Sequence, residues 1–161
     1  MIRYATGEDV SRIAELLVFG KRVAYRTIFN NDVDSFKNLQ VLDVIKEYQN
    51  NPSLLENTLL YDDGIVKGII SKRIFAENKD EIELCDFYVE PVFQGMGIGQ
   101  ELISHLIREA KAEGRKRIFL WVIKDNLSAR KFYELNGFTA DGQEKMIDGT
   151  QVLDKRYVKE L

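Results

Sequence analysis

The sequence predicts a mixed α/β fold in which a mostly antiparallel central sheet is flanked by helices. Three observations carry that prediction. Apolar residues switch between helical and strand spacing along the 161 residues. Asp62-Asp63-Gly64 and Asp148-Gly149 each separate two strand-like runs, which is a hairpin signal. Between these hairpins come a strand, a glycine run, a helix and another strand, the order of a parallel crossover.

Ile2–Ala5 reads as a short first strand. Thr6, with Asp9 three residues on, has the form of a helix N-cap with an acidic first turn. Val10, Ile13, Ala14 and Leu17 then fall on one helical face, and Val41, Val44, Ile45 and Tyr48 repeat the spacing in a second helix. Between them Lys21–Asn31 mixes polar and aromatic residues without a clear period. Thr58–Tyr61, Ile65–Phe75 and Glu81–Val89 read as three strands, the last ended by Pro91, which lacks a backbone donor. Leu102, Ile103, Leu106, Ile107 and Ala110 make the apolar stripe of a helix that Gly114 closes. Arg117–Ile123 is a buried-strand candidate and Asn126–Asn136 another helix, stopped by Gly137. Glu144–Ile147 and Gln151–Tyr157 form the last hairpin. With no Ser/Gly linker, repeat or low-complexity tract, residues 1–161 read as one domain.

Bulk composition narrows the function. A chain that is 45% hydrophobic with a net charge of −3 carries no excess of Lys and Arg to attract nucleic acid. Cys85 is the one cysteine and His105 the one histidine, so neither an internal disulfide nor a zinc ligand set is expected. No apolar run approaches the roughly 20 residues of a membrane span, and the first residues lack the apolar core of a signal peptide. The expectation is a soluble cytoplasmic protein without metal, membrane or nucleic-acid partner.

Gly95, Gly97 and Gly99 alternate between a strand and a helix. Such a loop exposes its amide N–H groups, and the following helix adds about half a positive charge at its N-terminus. Together they suit a pyrophosphate. The dinucleotide spacing G-x-G-x-x-G fails, because Gln100 and Leu102 stand where its third glycine would be. No Gly-Lys-Ser/Thr of a P-loop is present either, which disfavours a nucleotide-dependent oxidoreductase or ATPase.

Val89-Glu90-Pro91-Val92-Phe93-Gln94-Gly95-Met96-Gly97-Ile98-Gly99 resembles the acetyl-CoA motif of the GNAT (GCN5-related N-acetyltransferase) family, Gln/Arg-x-x-Gly-x-Gly/Ala. Asn126-Leu127-Ser128-Ala129-Arg130-Lys131-Phe132-Tyr133-Glu134-Leu135-Asn136-Gly137-Phe138 resembles the family's Asn-x-x-Ala-x-x-Phe-Tyr-x-x-x-Gly-Phe segment. The two occur in the family's order, separated by a helix and a strand. The resemblance implies a GNAT fold in which strands Glu81–Val89 and Arg117–Ile123 run parallel and splay apart, often beside a β-bulge. It implies acetyl-CoA as cosubstrate. Phe87 and Val89, with Tyr88 between them, would face the pantetheine arm. Gln94, Gly95, Met96, Gly97, Ile98, Gly99 and Gln100 would hold the pyrophosphate. Asn126 would reach the pantetheine, and Ala129 and Phe132 would line the far wall. A homodimer is an expectation of the resemblance alone.

Acyl transfer to an amine requires an unprotonated nitrogen, and an alkyl ammonium titrates near 10.4. The thioester must also be polarised and the leaving thiolate protonated. Direct attack needs no enzyme nucleophile. The resemblance places a catalytic glutamate at Glu83, eleven residues before Gln94, as general base; Asp86 or water are alternatives, and Glu83 reads equally as a solvated strand-face residue. Ala129, Phe132 and Tyr133 share one helical face, and the resemblance aims Tyr133 at the sulfur as general acid; a core tyrosine that only packs is the alternative. Phe132 suits packing. His105 reads as solvated, Cys85 as a small buried hydrophobe and Trp121 as sheet core.

The acceptor side of such a fold is built from Lys21–Asn31, with Arg22, Tyr25 and Arg26, and from the tail near Met146–Tyr157. Ala24-Tyr25-Arg26-Thr27-Ile28 resembles an Ala-Tyr-Arg-Gly-Ile stretch of small bacterial members and departs from it at Thr27. Glu83, Asp86 and Glu90 favour a cationic amine, whereas Arg22 and Arg26 favour an acceptor with a carboxylate. The acceptor amine, small molecule or protein, therefore stays open. A non-catalytic acyl-CoA-binding regulatory module on the same fold is the alternative to an N-acetyltransferase.

Overall fold

The computed structural model describes residues 1–161. In chain order the elements are β1 (Ile2–Tyr4), α1 (Val10–Phe29), α2 (Val41–Asn50), α3 (Ser53–Glu56), β2 (Thr58–Asp62), β3 (Val66–Ile74), β4 (Glu81–Val89), α4 (Ile98–Ala112), β5 (Arg117–Ile123), α5 (Leu127–Leu135), β6 (Thr139–Met146) and β7 (Leu153–Glu160). The strands form a seven-stranded sheet in the order β1-β2-β3-β4-β5-β7-β6. Both hairpins and the parallel crossover expected from the sequence are present. Two compact units make up the chain: Met1–Lys72 with Asp86–His105, and Arg73–Cys85 with Leu106–Leu161.

In the first unit β1 pairs antiparallel with β2, and β2 with β3 through a turn at Gly64. The α1 stripe Val10, Ile13, Leu16 and Leu17 is buried against Leu60, Ile69 and Tyr48, with Val44 and Ile45 of α2 packed on the cluster. Burying one such aliphatic side chain contributes about 1.5–3 kcal/mol. The entry to α1 is fixed as Thr6 and Asp9 suggested. Asp9 accepts from the Thr6 backbone N–H at 2.8 Å and from its hydroxyl at 2.9 Å. Arg3 adds two bonds to the Asp9 carboxylate, each 2.8 Å, and one of 2.8 Å to Asp62. The Arg3 hydrogen bond is the main reason that Asp9 titrates at about 2.

Helix α1 runs on through Lys21–Phe29, which the sequence left without a period. The contacts explain why. Gly20 and Tyr25 meet Tyr88, while Arg22 bonds the carbonyls of Ser35 and Leu39 at 2.8 and 2.9 Å and Arg26 pairs with Asp32 at 2.8 Å. Two sides of this half-helix are engaged by polar and aromatic groups, so no apolar stripe marks it. Asn30 ends the helix at φ 47°, its N–H bonded to the Arg26 carbonyl.

In the second unit β5 pairs antiparallel with β7 over all its seven residues, and β7 with β6. Strand β6 starts at Thr139, five residues earlier than the hairpin read from sequence. An irregularity at Ala140/Glu144, next to Gly142 at φ 88°, breaks the alternation that would have revealed it. Ile118, Leu120 and Val122 are buried on one face of β5, with Tyr157 opposite Leu120. Tyr157 is fixed there: it accepts from Arg130 at 3.0 Å and donates to Glu134 at 2.7 Å. Gly114, at φ 75°, closes α4 as expected, with the Arg115 N–H bonded to the Ala110 carbonyl.

Candidate active site

The glycine run begins after the turn Pro91–Phe93. Glu90 is anchored by its N–H to the Lys67 carbonyl at 2.9 Å and by its carboxylate to Arg12 at 2.8 Å. Gln94 donates to the Val89 carbonyl at 3.1 Å, which ties the loop back to the strand end. Gly95 and Gly97 hold φ of 78° and 84°, and a Cβ added to either would meet nothing within 4 Å. The space into which a side chain would project is open at both positions. Gly99 lies in the first turn of α4, outside the left-handed region, so conformational need applies to Gly95 and Gly97 and not to Gly99. Ile98 is buried and anchors the start of α4, whereas Gln94, Met96 and Gln100 are exposed. The Gln100 amide reaches Ser104 at 3.2 Å.

Parallel pairing of β4 with β5 runs from Glu81↔Arg117 to Leu84↔Leu120 and goes no further, although β4 extends to Val89 and β5 to Ile123. The pairing is regular over these four residue pairs; the bulges lie in other strand pairs. Phe87, Tyr88 and Val89 are all part-buried. Tyr88 donates to the Tyr25 hydroxyl at 2.7 Å and lies so close to α1 that only glycine fits at position 20.

In the second unit Asn126 caps α5, its side-chain oxygen accepting from the Ala129 N–H at 3.2 Å. The amide NH₂ of Asn126 is left as a donor. Ala129 and Phe132 are part-buried, while Tyr133 is only 8% exposed, with the edges of Phe132 and Phe138 at ring-centre distances of 5.7 and 5.8 Å. The more buried ring is thus Tyr133, not Phe132, the residue expected to pack.

Charge is distributed differently from the sequence expectation. Glu83 is ion-paired to Arg73 at 3.0 Å. Asp86 faces Lys21 at 3.3 Å and accepts from the Ser71 hydroxyl at 3.2 Å. With Glu90 on Arg12, each of the three carboxylates has its own cation. Arg22 bonds only backbone carbonyls and lies 5.2 Å from the Phe36 ring centre. It borders a depression of about 340 Å³ lined also by Phe19, Val23, Arg26, Thr27 and Phe36. Two further expectations are corrected. Cys85 is exposed, because it projects from the β4 face opposite Leu84, so it is no buried hydrophobe. Trp121 is part-buried under the Lys145 ammonium, 4.1 Å from the ring centre, and is not sheet core.

The profile of the acetyltransferase (GNAT) family matches residues 23–138, which is most of the chain and includes both motifs. The chain belongs to the GNAT family. A relative described as an N-acetyltransferase of Methanocaldococcus jannaschii is 40% identical over 62 residues, 38% of this chain and 27% of that protein. The spermine/spermidine N(1)-acetyltransferase of Bacillus subtilis strain 168 is 30% identical over 108 residues, 63% of this chain and 68% of that protein. The matched stretch thus spans about a quarter of the first relative's length. The GNAT fold recurs in the PaiA N-acetyltransferase of Thermoplasma acidophilum, solved with coenzyme A: TM-score 0.75 at 22% identity, covering 100% of this chain and 98% of that one.

Sequence reasoning missed the partners Arg73, Lys21 and Arg12, which reach their carboxylates from other elements. It also missed Asp154. This part-buried residue of β7 stands opposite Ile123 of β5 and Lys145 of β6, and desolvation raises its pKa above the ordinary carboxylate value. Its one sequence signal is an acid beside the basic pair Lys155-Arg156 in the hairpin already assigned to the acceptor side. No helix of the protein is long and apolar enough to cross a membrane, and no group of three or more His, Cys, Asp or Glu is arranged to hold a metal ion.

Proposed function

We propose that the protein is an acetyl-CoA-dependent N-acetyltransferase that passes the acetyl group directly to a primary amine. The observation that carries this is the open loop of Gly95 and Gly97 ahead of α4, in a chain of the GNAT family. Amides turned outward at a helix start are a site for the pyrophosphate of CoA. Gln94, Gly95, Met96, Gly97, Ile98, Gly99 and Gln100 form that cradle. The backbone of Phe87 and Val89 and the amide of Asn126 supply hydrogen bonds for the pantetheine, Tyr88 braces the strand against α1, and Ala129 and Phe132 give the apolar wall. Tyr133 is the proton donor to the departing thiolate. Its ring is buried against those of Phe132 and Phe138.

Glu83 suits a base less well than its sequence position suggests. Its carboxylate is already engaged by the Arg73 guanidinium at 3.0 Å and would have to leave that partner to meet an acceptor. The acceptor is a small or peptidic primary amine; the polyamine named for the Bacillus subtilis relative makes spermidine a sensible first probe. The test is release of CoA thiol from acetyl-CoA with spermidine, alaninamide, butylamine and an alanine-started peptide. Release that depends on the amine supports the enzyme. Tight acetyl-CoA binding without release from any of the four supports a non-catalytic module.

A further inference from the structure

One face of the second unit's sheet is built for cations. In the β5–β7 register Phe119 stands opposite Val158, Trp121 opposite Arg156 and Ile123 opposite Asp154, so these residues share a face. Both aromatic rings are covered by a positive charge. The Arg156 guanidinium lies 4.5 Å from the Phe119 ring centre, and the Lys145 ammonium 4.1 Å from that of Trp121. Asp154 completes the row at the C-terminal end of β5, where Asn126 bonds the Ile123 carbonyl at 2.9 Å. Ligands of open α/β sheets bind beyond the carboxyl ends of the strands.

Asp154 differs from five other part-buried carboxylates. Asp62 is held by Arg3, Glu81 by Arg117, Glu83 by Arg73, Asp86 by Lys21 and Glu90 by Arg12. Asp154 makes no side-chain hydrogen bond or ion pair. Lys145, directly across on β6, spends its ammonium on Trp121, and Arg156, two residues along, faces Asp141 at 3.5 Å. Ile123 on β5 brings no charge. The Lys145 charge acts on Asp154 from across the strand pair but makes no ion pair with it, and burial outweighs that charge; a part-buried carboxylate with neither hydrogen bond nor ion pair has a use when an external cation arrives.

We propose that Asp154 receives the ammonium of the acceptor and takes its proton before transfer; this rests on the N-acetyltransferase reading above. The carboxylate removes one proton from R–NH₃⁺, leaving R–NH₂. The nitrogen lone pair forms the C–N bond to the thioester carbon, and the C–S bond breaks as the tetrahedral intermediate collapses. The second proton leaves nitrogen and reaches the thiolate by way of Tyr133. Asp154 returns its proton to solvent. The products are the amide, CoA thiol and one proton. Burial, which raises the Asp154 pKa, also makes it a better base than a paired carboxylate.

The experiment compares the parent with Asp154→Asn and Asp154→Glu, using spermidine, alaninamide and butylamine at pH 6.5 to 10. For Asp154→Asn, kcat/KM should fall roughly 10²–10⁴-fold at neutral pH. The deficit should shrink toward pH 10, where free amine is abundant, and Asp154→Glu should recover part of the rate. CoA affinity should not change. Stability separates this loss from misfolding. A native pKa raised by burial gives stability that is full below the unfolded pKa and is lost as pH rises through the native one. Asp154→Asn should therefore melt above the parent at pH 7, with the gain vanishing in acid. A parent active with any of the three amines and a variant equally active, or one slowed equally at every pH, overturns the assignment of Asp154 alone. A parent that binds acetyl-CoA and releases no thiol with any of them overturns the transferase reading and this assignment together.

Discussion

Replacing Gly97 by valine should separate what the loop does for the fold from what it does for CoA. Gly97 sits at φ 84°, a conformation that a β-branched residue resists, and an added Cβ meets no protein atom within 4 Å. The fold therefore loses only local backbone strain, about 1–3 kcal/mol. At roughly 2–4 °C per kcal/mol for a chain of this length, Tm should fall by roughly 2–12 °C. The ligand loses more. A side chain standing over the amides costs at least one charge-assisted hydrogen bond, about 1.5–3 kcal/mol, or roughly ten- to hundredfold in Kd. Gly64→Val is the matched control: φ is 102°, nothing lies within 4 Å, and the turn joins β2 to β3. Calorimetry with CoA and thermal melts on both variants give the comparison. Equal CoA affinity in Gly97→Val and the parent, or an equal loss in Gly64→Val, would refute the argument that the loop is the anion site.

The other expectations concern a hydroxyl, a charge and a close contact. Tyr133→Phe should leave CoA affinity intact and slow turnover roughly 10²-fold, the low end for a proton donor because a thiolate is already a fair leaving group; unchanged steady-state turnover removes Tyr133 from the mechanism. Asp9→Asn should cost roughly 1–3 kcal/mol at pH 7 by breaking the Arg3 bonds. Because the Asp9 pKa is depressed, its contribution is present above the ordinary carboxylate value and lost as pH falls through about 2; the difference in Tm between variant and parent should close over that range, and a gap constant with pH would contradict it. Gly20→Ala puts a Cβ 2.5 Å from a Tyr88 ring carbon, so it should destabilise by about 1–3 kcal/mol and disturb the Tyr25–Tyr88 hydrogen bond, as urea unfolding would show.

The elements legible in the sequence were those whose burial is one-sided. The α4 stripe and the alternation of β5 each report one buried face, and the two Asp-Gly turns report their own geometry. The second half of α1 is not legible, since Tyr88 on one side and the carbonyls of Ser35 and Leu39 on another engage it through aromatic and polar contacts. The first residues of β6 were hidden in the same way, exposed throughout and broken by an irregularity. Within the site, local motifs located the glycine loop and the cap at Asn126, because loop and cap are made by consecutive residues. Pairings such as Arg73 with Glu83 and Lys21 with Asp86, ten and 65 residues apart in sequence, exist only once strands and helix are folded together. Asp154 shows the converse: what distinguishes it is a part-buried carboxylate without a hydrogen bond or ion pair, which no sequence spacing records.

The central claim is direct transfer from acetyl-CoA to the amine, and exposed Cys85 supplies the competing route through an acetyl-enzyme. Intact-protein mass spectrometry, run with acetyl-CoA first alone and then with an acceptor amine, measures both. The expected result is an unmodified protein throughout, with acetylated amine and CoA thiol formed one for one in the parent and in Cys85→Ala alike. An acetyl group carried on Cys85 and discharged by the amine, together with an inactive Cys85→Ala, would contradict it.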